Sequence, residues 1–553
     1  MSHPQTGADD IVDLVIIGAG INGLAIARDA ASRGLSVVVV DRGDVGAGTT
    51  ATSSRLIHGG LKYLERYDFA LVHESIRERH LLFRTAPHLV HDYPMLIPFY
   101  AGDSRPGPLI RLGLAAFDVL AAGRGRGRSR GMSTQAIGRR WPHLTRKGLR
   151  GGVLFNDAQV PWAERLCVEL LVDAEQLGAR VLTYTTVTGL LVTDGRVHGV
   201  RTRDNQSGHE GEIRGRLTIN AAGPWIDRIL DGQVDSGRLN GGTKGSHVII
   251  DPFPGAPDTC IFFEAAADQR PIFIFPWEGR YVLGSTDLTY DGDLDEVVAS
   301  DAEIDYLLTE ANRLFPQAGL TPDDVLYSVA GIRPLPYTAG VSDNAKISRG
   351  HTVLNHAPAY EGLLTIIGGK LTTHRALAED ATDAALKVLG RPRQRCTTRT
   401  RPLPGADTPD WYAFRADFAR SATPFTPAQS ARLLDIYGVR ARRVLELAVA
   451  DPALADVIDE RTGAVAAEVV MAFREERAVT LADVLLRRTL IGLGPDMAVS
   501  TAVTCADVAV RHLGWDTGRA DAEVAAYRAE LRRFRPRGLN LAPATGTSDR
   551  RTS

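Results

Sequence analysis

The chain of 553 residues is short of cysteine, of net charge and of long apolar runs, and each shortage removes a class of function. Its four cysteines, Cys167, Cys260, Cys396 and Cys505, stand far apart and form no CxxC pair, so neither a metal site nor a dithiol centre is indicated. A reducing, cytoplasmic setting fits that usage. The formal net charge of −2 gives no global attraction to nucleic acid or anionic lipid, so no nucleic-acid partner is expected and any anion must be met by a local cluster of Lys and Arg. No uninterrupted apolar run approaches the ~20 residues of a membrane-spanning helix. The opening MSHPQTGADD has neither the positive flank nor the apolar stretch of a secretory signal, and no internal repeat is found.

What is present is an ordinary globular composition, 44% apolar and 24% charged, on a chain long enough for more than one structural unit. From Asp13 to Asp41, DLVIIGAGINGLAIARDAASRGLSVVVVD reads as a strand, a glycine turn, an amphipathic helix ended by Gly34, and a second strand. Strands such as LTINAAG and LLTIIGG alternate with helices to about residue 395, a mixed α/β pattern, and Ser300 with Glu303 forms a capping box. A Pro- and Thr-rich segment, 397–410, closes this region. Beyond it the pattern is helical: Thr426-Pro427 starts a helix that Gly438 stops, Thr480 caps another, and Gly514 follows a third. The expected organisation is a strand-bearing region over 11–396 and a helical domain over 411–541, with a disordered tail from Pro543. PLIRLGLAAFDVLAA, followed by a loop carrying Arg124, Arg126, Arg128 and Arg130, reads either as a core helix or as an interfacial helix against an anionic membrane surface.

Gly18, Gly20 and Gly23 form GxGxxG between strand and helix, and Asp41 ends the next strand within reach of a ribose hydroxyl. Gly18 permits the tight turn, Gly20 lets a pyrophosphate approach the backbone, and Gly23 lets the helix pack closely with its N-terminus toward the phosphates. NAD competes with FAD for such a unit. The Gly/Ser/Thr-rich run from Arg42 to Glu65, which holds Thr49, Thr50, Ser53, Ser54, His58, Gly59 and Gly60, suits wrapping an extended cofactor and favours FAD. NAAGPW, with Ala222, Gly223 and Trp225, ends another strand. IIGGKLTTHR places Gly369, Lys370, Leu371, Thr372 and Thr373 where a strand enters a helix, and backbone N–H groups there suit an anionic reduced flavin ring.

The runs SSRLIHGGLKYLE, AAGPWID, KGSH, GSTD, GIRPL and IGGKLTT closely resemble, in the same order, the FAD-dependent glycerol-3-phosphate dehydrogenases, over roughly residues 11–400 and more weakly beyond. The resemblance implies an α/β fold, with a glutathione-reductase-like FAD-binding domain interleaved with an α+β substrate domain and an all-α C-terminal domain. It implies oxidation of glycerol 3-phosphate to dihydroxyacetone phosphate, with electrons passing to a quinone at the membrane in dehydrogenase members and to dioxygen in oxidase members. It also adds Val187 to the cofactor contacts. The oligomeric state stays open, a dimer being compatible.

A phosphate monoester carries close to two negative charges and needs several cations in hydrogen-bonding geometry. Arg333, Arg349 and Lys370 match the positions the family uses, Arg333 in both binding and catalysis; surface ion pairing is the alternative reading for each. A base is also required for the hydroxyl proton, and His247 and His58 are the candidates, unless they are hydrogen-bonded structural histidines. Arg55 and Lys62 are expected to orient flavin or substrate, and Thr286 and Asp287 to shape the pocket. An amine or amino-acid oxidase on the same fold, and a flavin-binding sensor or scaffold without turnover, are the rival readings.

Overall fold

The computed structural model describes residues 11–58, 69–120, 128–338, 347 and 349–535. Gly59, Gly60, Lys62, Arg124, Arg126 and the tail lie outside the described residues.

The segments VDLVII (Val12–Ile17) and VVVV (Val37–Val40) are apolar throughout instead of alternating, as strands covered on both faces must be, and every one of their side chains is buried. They pair in parallel, and the same sheet continues in parallel through Glu210–Asn220 to Leu363–Gly368 on one side and to Arg180–Leu182 on the other. The register sets Ile17 level with both Val40 and Asn220, and Asn220 level with Thr365, so the carboxyl ends of four strands open onto one edge. Between the first two strands, helix Ile21–Ser32 packs against helices Ala163–Gln176 and His374–Val388, and it ends where Gly34 turns at φ 77°.

A second, mostly antiparallel sheet of ten strands carries His247 and Arg333, whereas Arg349 and Lys370 flank strands His351–Asn355 and Leu363–Gly368 of the first sheet. Strand Thr243–Ile250 runs between Val325–Arg333 and Arg280–Gly284, a register that sets Thr243 opposite Arg333 and His247 opposite both Val329 and Gly284. Helix Asp301–Leu314 packs on this sheet, and the Ser300–Glu303 capping box opens it as expected.

Among the described residues from Trp411 to Arg535 the chain is helical, with one addition, a two-stranded ribbon of Val457–Asp459 and Ala464–Val465 turned at Gly463 (φ 70°). The helices of this region share their core with the substrate sheet: Phe414, Leu433, Val470 and Leu485 join Met95, Phe155, Phe275 and Tyr327 in one buried cluster. The Pro/Thr-rich segment therefore marks a change of secondary structure without a break in packing.

Helix Gly107–Leu120 departs from the core-helix reading. Leu114 and Phe117 are buried, while Leu109, Leu112 and Val119 are 57%, 68% and 75% exposed. The helix thus has one apolar side covered by the core and another, carrying Leu109, Leu112 and Val119, that points outward. Among the described residues no helix is long and apolar enough to cross a membrane.

Candidate cofactor and substrate site

The glycine turn, Asp41, the Ala222–Trp225 turn and the Gly369–Thr373 turn all lie at the carboxyl ends of neighbouring parallel strands, the edge at which open α/β sheets take ligands. Gly18 has φ 106°, and a Cβ there would lie 2.6 Å from Ala221 O; a Cβ on Gly23 would lie 1.8 Å from Gly18 O. These two positions are glycine because the protein packs on itself. At Gly20 a Cβ would meet only Thr50 Oγ1, at 3.7 Å, so the bare backbone leaves a cradle open to a pyrophosphate. The residues present thus fit a dinucleotide.

Asp41 receives Ala19 N at 2.6 Å and Gly43 N at 2.9 Å. Burial raises its pKa in spite of these two donors. Arg42 lies over the Trp225 ring at 4.6 Å and bonds Asp295, which also accepts from Trp225 Nε1 at 2.9 Å and Arg228 at 2.6 Å. Val187 packs against the buried cluster that contains Val38 and Val40, beside the same strand end. Ala222 N donates to Asn220 Oδ1, and Gly223 turns at φ 59°. The strand Leu363–Gly368 enters a short turn, Leu371–Thr373, and then helix His374–Val388, with Thr372 and Thr373 buried. His58 follows the two-residue strand Leu56–Ile57, which packs against that turn.

The loop after Asp41 runs on into the substrate sheet. Thr49 Oγ1 donates to Ile332 O at 2.8 Å, Thr50 Oγ1 accepts from Ile21 N, Ser53 Oγ accepts from Arg55 N, and Ser54 Oγ pairs with His247 Nε2 at 2.8 Å. Gly245 and Gly284 make room for this group: a Cβ on Gly245 would strike the Arg333 guanidinium, and one on Gly284 would strike the His247 ring. His247 is buried with Nδ1 unpartnered. Burial pulls its pKa down to about 3, with Arg333 and Arg55 adding to the effect, so the ring is neutral at working pH.

Arg333 donates to Asp287 at 3.1 Å, Ser285 Oγ at 2.8 Å and Thr286 O at 2.9 Å. Arg349 reaches the other oxygen of Asp287 at 3.5 Å. Although burial opposes ionisation, these two guanidiniums hold the Asp287 carboxyl below the usual range. Next to Arg349, Gly350 O accepts from Gly369 N at 3.4 Å, which sets Arg349 beside the Lys370 turn. Lys370 Nζ donates to Ser75 at 3.3 Å. Arg333 and Arg349 thus meet through Asp287, whereas Lys370 adjoins Arg349 through the backbone of its turn and its ammonium reaches helix Phe69–Thr85.

Arg55 departs from the expectation that it meets substrate. Its guanidinium forks onto Glu164 with two bonds of 2.6 Å, donates to Pro161 O and Ala51 O, and lies over Trp277. Those donors are spent inside the protein, and Arg55 acts as a strut for the loop.

Several partners were not read from the sequence. Asp287 stood in the quoted GSTD run, yet its role as shared counter-ion of two arginines did not show; Asp295 and Glu164 carried no local signal. Glu303, read as a helix cap, also accepts from Ser246 and Thr286 at 2.8 Å and pairs with Lys244 at 2.7 Å, tying the KGSH and GSTD runs together. Against its burial, these partners hold its pKa at about 2.

The family model for FAD-dependent oxidoreductases matches residues 13–375. The chain belongs to this family. Residues 396–520 match the model for the C-terminal domain of alpha-glycerophosphate oxidase. The FAD-dependent oxidoreductase chain is similar to glycerol-3-phosphate dehydrogenase from Synechocystis sp., 38% identical over 93% of this chain and 95% of that one. It is 35% identical to glycerol-3-phosphate dehydrogenase 2 from Mycobacterium tuberculosis over 94% of this chain and 88% of that one. The solved structure of glycerol-3-phosphate dehydrogenase from Bacillus halodurans complexed with FAD is 26% identical, with a TM-score of 0.77 and 97% of each chain covered.

Proposed function

We propose that this FAD-dependent oxidoreductase oxidises sn-glycerol 3-phosphate to dihydroxyacetone phosphate and delivers the electrons to a quinone at an anionic membrane surface. The observation that carries the reading is the Ser54–His247 hydrogen bond, at which the cofactor loop meets the strand bearing His247, beside Arg333 and Arg349. The names of the similar dehydrogenases support the same substrate.

FAD supplies the two-electron acceptor when bound. Arg333, Arg349 and Lys370 hold the phosphate, a cationic set that neutral glycerol cannot engage. With Nε2–H donated to Ser54, the His247 Nδ1 lone pair remains to take the hydroxyl proton, and the phosphate offsets the arginine charges that help depress its basicity. His58, at the end of the strand beside the Leu371–Thr373 turn, acts on the cofactor side. The buried Glu303 network keeps the two substrate strands in register.

Anaerobic titration with glycerol 3-phosphate, followed by flavin absorbance, tests the assignment: bleaching at stoichiometric substrate is expected. Bleaching by a secondary amine or amino acid instead would replace it with the amine-oxidase reading, and no bleaching by any of them would leave the sensor reading. The C-terminal match favours one alternative, an oxidase using dioxygen. Stoichiometric peroxide formed faster than a quinone analogue is reduced would establish it.

The membrane side of the proposal rests on helix Gly107–Leu120, whose exposed Leu109, Leu112 and Val119 stand near exposed Arg111, Arg128 and Arg130. Each such cation contributes ~1 kcal/mol near anionic lipid. Leu109→Ser with Leu112→Ser should release the protein from sedimenting anionic vesicles while turnover of a soluble acceptor stays unchanged. Undiminished sedimentation would reject this surface.

A further inference from the structure

A buried charge cluster outside the site joins the C-terminal helices to the loop between Asp41 and Arg55. Asp44 is buried, and its carboxylate is held by two consecutive arginines from the other end of the chain. Arg487 Nε donates to Oδ2 at 2.5 Å, Arg488 Nη2 donates to Oδ1 at 2.8 Å, and Arg488 Nη1 also reaches Oδ2. Consecutive side chains of an α-helix diverge by ~100°. Here Val484–Arg488 forms a wider π turn, with Thr489 N donating to Val484 O at 2.9 Å, and the two guanidiniums converge on one anion. A second grip lies alongside. Tyr184 N donates to Gly43 O at 3.1 Å, and its hydroxyl donates to Asp483 Oδ1 at 2.6 Å, the oxygen that Arg487 Nη2 also reaches at 2.6 Å.

The loop so held lies on the glycine turn. Gly46 N donates to Ala19 O at 3.0 Å, and Thr50 Oγ1 accepts from Ile21 N at 3.2 Å. Its far end is pinned within the same half of the chain by the Arg55–Glu164 fork, whereas its near end is pinned by the C-terminal region. Two arginines are matched by Asp44 and Asp483, and apolar residues of similar volume could fill the same space as stably. What the charges add is direction, since a carboxylate gripped by two guanidiniums is fixed in orientation as well as place.

We propose that the C-terminal region is a latch on the cofactor: Arg487 and Arg488 hold Asp44 so that loop 41–55 stays closed on the glycine turn, which sets the affinity for FAD. The proposal rests on the assignment of that turn and loop to FAD. Asp44, Arg487 and Arg488 are positioning residues in it.

The test uses full-length apoprotein, FAD titration by flavin fluorescence, and thermal unfolding with and without FAD. If loss of the latch leaves the loop closed about a tenth of the time, the apparent Kd rises about tenfold, because affinity scales with the competent fraction. Asp44→Asn and Arg488→Met should show that rise and a smaller gain in Tm on adding FAD, with Arg488→Lys intermediate. Arg440→Met is the control: it breaks pairs with Glu169 and Glu476 at the same junction without touching the loop. It should lower Tm equally with and without FAD and leave Kd unchanged. Should the Asp44 and Arg488 variants keep wild-type Kd, or Arg440→Met weaken FAD as much as they do, the latch is wrong and the cluster is structural. If Asp44→Asn does not fold, Arg488→Lys against Arg440→Met decides the matter by the same comparison. Failure of the wild-type apoprotein to take up FAD would instead overturn the cofactor assignment.

Discussion

Replacing Arg333 by Ala should weaken use of glycerol 3-phosphate by roughly ten- to a hundredfold in kcat/KM, since a hydrogen bond to a charged group contributes ~1.5–3 kcal/mol and each 1.4 kcal/mol is tenfold. Burial lowers the Arg333 pKa to about 10; Asp287 opposes the fall and Arg349 adds to it, so the group is fully cationic at neutral pH. Its orientation is set by Ser285, Thr286 O and Asp287 before substrate arrives. A prearranged cation binds ground state and transition state alike, which places the loss mainly in KM, with modest change in kcat. The catalytic share expected of Arg333 would appear as an added fall in kcat. Activity toward neutral glycerol should hardly move, so the preference for the phosphorylated substrate shrinks by the same factor. Arg333→Lys keeps the charge and loses the planar fork, and should fall between. Steady-state reduction of a soluble acceptor, normalised to bound flavin, reads all of this. A folded, flavin-loaded Arg333→Ala protein with wild-type kinetics and selectivity would refute the phosphate-clamp argument.

Gly20→Ala and Gly23→Ala should separate cofactor binding from folding: a Cβ on Gly20 meets only Thr50 Oγ1 at 3.7 Å, so Gly20→Ala keeps the apoprotein's Tm and loses FAD affinity, whereas a Cβ 1.8 Å from Gly18 O makes Gly23→Ala lower the apoprotein's Tm itself. Equal Tm losses would contradict this division. His88 is buried, with neither ring nitrogen hydrogen-bonded, and burial chiefly, helped by Arg165, His91 and Arg440, lowers its pKa to about 3. The unfolded chain then binds the extra proton between pH ~6.5 and ~3, so stability falls as pH falls through that window, by roughly 2 kcal/mol from pH 7 to pH 5. His88→Leu should remove that share of the acid loss in Tm, and an unchanged pH dependence would show that His88 is not its source.

The first β-α-β unit was legible because its determinants are local. Apolar runs of strand length, glycines at a tight turn and Gly34 as a stop act over a few residues, and the same holds for the Ser300, Thr426 and Thr480 caps, all of which stand where the sequence sets them. The cations expected at the phosphate, Arg333, Arg349 and Lys370, could be named from short runs, but the dependence of the two arginines on one carboxylate, Asp287, could not. Which carboxylate meets which arginine is a long-range matter: Arg55 looked free for substrate until folding set Glu164 against it, and Arg488 meets Asp44 across 444 positions of sequence. Helix Gly107–Leu120 makes the same point for packing. Its apolar periodicity defines a helix, while only the neighbours that cover Leu114 and Phe117 and leave Leu109, Leu112 and Val119 bare decide which face meets solvent. The sequence by itself determined the dinucleotide unit, the helix ends and the chemical types at the site, through interactions within one turn or one strand. Tertiary structure alone decided the ion-pair partners, the outward apolar face and the grip of the C-terminal helices on the cofactor loop, because desolvation and charge pairing depend on what the rest of the chain brings alongside.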